Sequence, residues 1–146
     1  MARTERSAEV EWKGTLTGGQ GLLWLKSGAA GGLPVTWASR IDRSDGRTSP
    51  EELIAAAHAS CFSMAFSHGL TQAGTPPEYL HTTAACAAEH GEAGLRVVSV
   101  ELTVRGKVHG LDAEAFASAA EAAKENCPIS QLLKGNAEIS VTATLE

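Results

Sequence analysis

Alternating apolar and polar positions place strands at both ends of the chain, around one long helical stretch. Residues 8–13 alternate, Gly18-Gly19 supplies a turn and residues 22–26 form a second run, which together predict a hairpin. After a loose segment at 28–34, residues 35–41 predict a third strand, and the polar, glycine-containing stretch 42–48 predicts a loop. Residues 80–89 and 95–108 predict two more strands joined near His90-Gly91. There Leu102, Val104 and Val108 alternate with polar neighbours, as a sheet with one wet face requires. Asp112 caps a predicted helix reaching about Glu125, a short helix covers 128–133 and closes at Gly135, and residues 137–145 make a last strand. The order β-β-β-α-β-β-α-α-β separates hairpins from helices, so the expected class is α+β, in a single domain spanning residues 1–146.

The long helix is the clearest element. Ser49 is a good N-cap, Pro50 fits the first helical position, and Glu52 completes an S-x-x-E capping box. Glu51 and Glu52 also suit the positive end of the helix dipole. Helix formers continue to Gly74, and Pro76-Pro77 enforces the stop. Residues 53–66 are apolar or small nearly all round, which predicts a helix buried on most sides, in the middle of a domain or of an assembly.

Composition changes this picture in two ways. The 43% hydrophobic content suffices for one core, but aromatics are only 5% and alanine dominates, so little area is buried per residue and help from a subunit interface is expected. The formal net charge of −5 argues against nucleic-acid backbones as partners. The first eleven residues carry no apolar run of signal-peptide length, and His58, His68 and three serines interrupt the stretch 53–70, which argues against a membrane span. Three cysteines without paired spacing are not a secreted disulfide framework, so a cytoplasmic protein with thiols available for chemistry is expected.

Cys61 lies in the long helix, three positions after His58 and on the same face. That pairing fits an activated thiol, half a metal site or plain packing. Cys127, in Asn126-Cys127-Pro128, falls where one helix ends and the next begins. An N-cap position would lower its thiol pKa, or Cys127 would serve only as a poor cap. Cys86, among small strand residues, reads as core filler. A thiol peroxidase needs one sulfur to become a sulfenic acid and a second to condense with it. It also needs a cation to hold the thiolate and a carboxylate to hold the cation. Arg40, Arg43 and Arg47 precede the helix, and Glu51 and Glu52 open it.

The run Thr48-Ser49-Pro50-Glu51-Glu52-Leu53-Ile54-Ala55-Ala56-Ala57-His58-Ala59-Ser60-Cys61-Phe62-Ser63-Met64-Ala65 resembles the signature of the OsmC/Ohr family, and Asn126-Cys127-Pro128-Ile129-Ser130 resembles its second motif. The histidine before Cys61 is closer to the OsmC branch. The resemblance implies an intertwined homodimer, with antiparallel sheets wrapped around two long central helices. It implies Cys61 as peroxidatic and Cys127 as resolving residue, Arg40 as the active-site arginine and Glu51 as its carboxylate partner. It also implies reduction of organic hydroperoxides and hydrogen peroxide in oxidative and osmotic stress, with an external dithiol, lipoyl groups on carrier proteins, as reductant. No metal, flavin or haem cofactor is required. Ten positions separate Glu51 from Cys61, about 15 Å of helical rise, so a pocket using both is expected to take Glu51 from the other subunit. Phe62, Phe66 and Leu70 are candidates to line a site for the organic part of the peroxide.

Three rivals stand beside this. One is a redox sensor or binding module forming the same disulfide without useful turnover. Another is a structural metal site on His58, Cys61 and Cys127, disfavoured because no C-x-x-C pair is present. The third is a Cys-His hydrolase, for which no paired oxyanion feature is legible.

Overall fold

A computed structural model describes all of residues 1–146, which condense into two compact units, Met1–Leu53 and Ile54–Glu146. The first unit is a three-stranded antiparallel sheet of order β1-β2-β3, with β1 at Ala8–Lys13, β2 at Gln20–Leu25 and β3 at Leu33–Val35. Trp12 pairs with Gly21, and a side chain there would collide with the indole and with Val35, so glycine lets the ring lie across the ladder. Every residue of β1 is exposed, Val10 and Trp12 included.

The third strand is shorter than its β-rich composition suggests. It ends at Val35, and helix α1 (Trp37–Ile41) takes the residues expected to extend it. The cause is a reciprocal capping box. The Ser39 amide donates to Thr36 Oγ1 and the Thr36 amide to Ser39 Oγ, both at 3.0 Å. Ser39 Oγ also donates to the Thr48 carbonyl at 2.8 Å, and the Thr48 amide to the Pro34 carbonyl at 2.9 Å, tying the loop back to the sheet.

Helix α2 (Pro50–Gln72) runs through the boundary between the units. Ser49 caps it by accepting the Glu52 amide at 3.1 Å, but the reverse half of the expected box is absent. The Glu52 carboxylate instead accepts the Thr48 hydroxyl at 2.8 Å. By length and composition α2 could cross a membrane. In this fold it buries one stripe, His58, Phe62, Phe66 and Leu70, spaced four apart. The opposite face, with Ala56, Ala57, Ser60, Met64, His68 and Thr71, is exposed, so within one chain the helix is not buried on most sides.

Strands β4 (Pro77–Gly91) and β5 (Gly94–Val108) form a long antiparallel hairpin. Strand β6 (Glu138–Leu145) returns on β5 in parallel, the one departure from the expected antiparallel pairing. The crossover carries α3 (Ala113–Asn126) and α4 (Pro128–Leu133), as a parallel return demands. Asp112 Oδ1 caps α3 by accepting the Ala115 amide at 2.8 Å. Phe116, Ala120 and Ala123 of α3 and then Cys127 form one buried stripe against Leu102, Val104 and Val108 of β5 and the aromatic stripe of α2. Gly106 admits Phe116 to the sheet, since a Cβ would meet its ring at 3.2 Å and Leu80 at 2.7 Å.

Candidate active site

Within Ile54–Glu146, α2 and the start of α4 bring the two motif cysteines together. Cys61, Cys127 and Ile129 pack in one cluster, and both the Cys127 thiol and the backbone N–H of Ile129 lie near enough to act on the Cys61 sulfur. Both are reduced, Cys127 being fully buried and Cys61 half-buried. Pro128 at the first position of α4 fixes φ where no amide is needed, so the first N–H that the short helix offers is that of Ile129. Cys127 is the N-cap residue of α4, where the sequence placed it. Its side chain makes no capping bond, and the Ile129 amide serves the other sulfur.

Burial pushes the Cys61 thiol above its ordinary pKa, the Ile129 N–H pulls it back, and the neighbouring Cys127 adds to the upward push. No cationic side chain of this unit acts on it.

His58, one helical turn before Cys61, turns its Nε2 to Ser130 Oγ at 2.7 Å, and its Nδ1 is buried without a partner. Burial lowers its pKa, so the ring is neutral near neutral pH. His58, Cys61 and Cys127 do not converge as metal ligands. Phe62, Phe66 and Leu70 are almost wholly inaccessible and pack in the core, so they line no open site. Cys86 sits on β4 in register with Val100.

Within Met1–Leu53, Arg40 on α1 meets Glu51 at the start of α2, with Nε donating to Oε1 at 2.8 Å. The carboxylate is 11% exposed and the guanidinium side chain 32%. The contact is a single hydrogen bond, and Glu51 Oε2 is buried without a partner. The guanidinium also lies 6.0 Å from the centroid of Trp37, one turn earlier. Glu51 selects Arg40 over Arg43 and Arg47, both exposed, because Ser39 pins Thr48 beside α1 and so sets where α2 begins. A hollow of about 100 Å³ opens beside Arg40, lined chiefly by Trp12, Leu16, Val35 and Trp37. Sequence reasoning missed the His58–Ser130 contact and this hollow.

Known proteins resemble the chain over nearly its whole length. The family profile described as OsmC-like protein matches residues 43–142. The chain is 37% identical over 141 residues to Peroxiredoxin OsmC of Escherichia coli (strain K12), covering 97% of this chain and 96% of that protein. It is 30% identical over 142 residues to Organic hydroperoxide resistance protein-like 1 of Staphylococcus saprophyticus, covering 95% and 98%. The crystal structure of the organic hydroperoxide resistance protein OhrB of Bacillus subtilis shares the fold, with a TM-score of 0.73 at 23% identity over 96% of this chain and 98% of that one. Profile and sequence identity together show that the chain belongs to the OsmC family, on its OsmC branch.

Proposed function

We propose that this chain is a thiol peroxidase that reduces organic hydroperoxides and hydrogen peroxide, a single OsmC-like domain acting as a homodimer in the cytoplasm. The observation that carries the reading is the proximity of the Cys61 and Cys127 thiols, one on α2 and the other at the junction of α3 and α4, remote in sequence. The Cys61 thiolate attacks the peroxide, the O–O bond breaks, the alcohol leaves and a sulfenic acid remains. Cys127 then displaces the hydroxyl as water and closes a disulfide. An external dithiol, lipoyl groups being the expected donor, reopens it by exchange. The names Peroxiredoxin OsmC and organic hydroperoxide resistance protein, borne by relatives, support this substrate class.

Arg40 is the cation proposed to hold the thiolate, and Glu51 orients it. Swinging an Nη onto the unpartnered Glu51 Oε2 would complete a bidentate pair. Because Glu51 and Cys61 lie far apart on one continuous helix, the pair is proposed to come from a second copy. The exposed small-residue face of α2 and the uncovered β1 favour such a partner. The hollow beside Arg40 is proposed to take the apolar part of the peroxide.

Intact-mass analysis and thiol counting after one equivalent of cumene hydroperoxide test the chemistry. The wild type loses two thiols, and Cys127→Ser carries one added oxygen on Cys61. Both cysteines staying reduced would end the peroxidase reading. Mixing Glu51→Ala with Cys61→Ser chains tests the shared site, because the heterodimer then regains one intact centre. No recovery in the mixture counts against sharing.

A further inference from the structure

Helix α4 faces α2 with its first turn. The Cys127 thiol and the Ile129 amide meet Cys61, while the Ser130 hydroxyl meets His58. His58 precedes Cys61 by one turn, and Ser130 follows Cys127 by about one turn, so the contacts form two antiparallel rungs. We propose that the His58–Ser130 rung is a positioning device that keeps Cys127 seated over Cys61 once Cys61 is oxidised, so that disulfide closure outruns a second oxidation. This deepens the peroxidase reading and rests on it.

The reduced sulfurs cannot hold the arrangement themselves. A thiol is a weak donor, and any S–H···S attraction changes when Cys61 carries a hydroxyl. Cys127 is not anchored by a side-chain capping bond, and α4 is six residues long, with Ser130 its one buried residue. The other rung is different in kind. His58 is 0% exposed and Ser130 is the ring's single hydrogen-bond partner, the Nδ1 having none. Opening the rung would strand a buried imidazole with no partner at all, so the contact resists opening. It involves neither sulfur, so it persists through thiol, sulfenic acid and disulfide.

Two reactions compete for the sulfenic acid. In closure the Cys127 sulfur attacks the Cys61 sulfur, the S–S bond forms, the S–O bond breaks, and hydroxide leaves with the Cys127 proton as water. In overoxidation a second hydroperoxide transfers an oxygen to the Cys61 sulfur and leaves as alcohol, giving a sulfinic acid. Only closure depends on where Cys127 sits.

The test is a quenched-flow series with intact-mass readout on wild type, Ser130→Ala, His58→Leu and His58→Gln. With cumene hydroperoxide, sulfenic acid forms at the wild-type rate in every variant. Closure slows about ten- to a hundredfold in Ser130→Ala and His58→Leu, the order expected for small misplacement of reacting groups, and sulfinic acid accumulates. His58→Gln, whose amide can reach Ser130, restores closure. Closure at the wild-type rate in Ser130→Ala overturns the inference, as does an equal slowing of both steps. Oxidation by diamide, which needs no peroxidase chemistry, separates the two levels. If wild type closes with diamide but ignores the hydroperoxide, the peroxidase reading fails. If Ser130→Ala closes with diamide as fast as wild type, the rung fails.

Discussion

Phe66 tests whether the aromatic stripe of α2 is core or substrate pocket. Its ring is 0% exposed and tilted against two others, with centroids 5.5 Å from Phe62 and 5.0 Å from Phe116. Truncating a buried phenylalanine costs roughly 3–5 kcal/mol, and two lost ring pairs place Phe66→Ala in the upper part of that range. Phe66→Leu keeps most of the volume and should cost about 1–2 kcal/mol. With a urea slope of about 2 kcal/mol per molar, the alanine variant should unfold near 2 M less urea than wild type. The assay is urea unfolding followed by tryptophan fluorescence, beside steady-state turnover of cumene and tert-butyl hydroperoxide. Phe66→Leu should lose stability and keep the wild-type ratio of kcat/KM for the two peroxides. A leucine variant of unchanged stability whose preference moves several-fold towards either substrate would refute the assignment to the core.

Further predictions follow from the neighbouring residues. His58 is buried and its pKa is lowered, so below about pH 6.5 the unfolded chain takes up a proton that the native ring refuses, and stability falls with falling pH. His58→Gln should flatten that part of the pH–stability curve, measured as urea midpoints from pH 7.5 to 5; an unchanged slope contradicts a neutral buried ring. Cys127 raises the Cys61 pKa, so Cys127→Ala should move the pH midpoint of Cys61 alkylation by iodoacetamide downward, and an upward move would contradict the contact. Met64 is 72% exposed on the unpartnered face of α2. Met64→Lys should leave the fold intact, as read by circular dichroism, while shifting sedimentation from dimer towards monomer; a dimer of undiminished stability would place the interface elsewhere.

How much of this was legible from sequence depends on the range of the interaction concerned. The caps at Ser49 and Asp112, the break at Pro128 and the alternation in β5 are local, and each element formed where its own residues directed. Helix α1 was equally local but was hidden, because Val35-Thr36-Trp37 carries strand composition and a five-residue helix has no periodicity to announce it. Thr36 and Ser39 were the only signal. Alternation is identical for parallel and antiparallel strands, so β6 gave no hint of its direction.

The site follows the same rule. Candidate residues were nameable because thiols, guanidinium and carboxylate are few, but which arginine pairs with Glu51 depends on how Ser39 fastens the loop at Thr48. The partner of His58 lies on another helix and leaves no local trace in sequence. Helix α2 carries the ambiguity furthest. Its two faces are both apolar or small, so its periodicity cannot say which one packs in the chain's own core. The fold assigns the aromatic face to that core and leaves the alanine, serine and methionine face open. Small residues let helix backbones approach closely, and a matching face on a second copy would bury much of the open side. A half-buried Cys61 thiol with no cation from its own unit is the chemical counterpart of that open face. Uncovered surface and unmet charge would then be satisfied by one association.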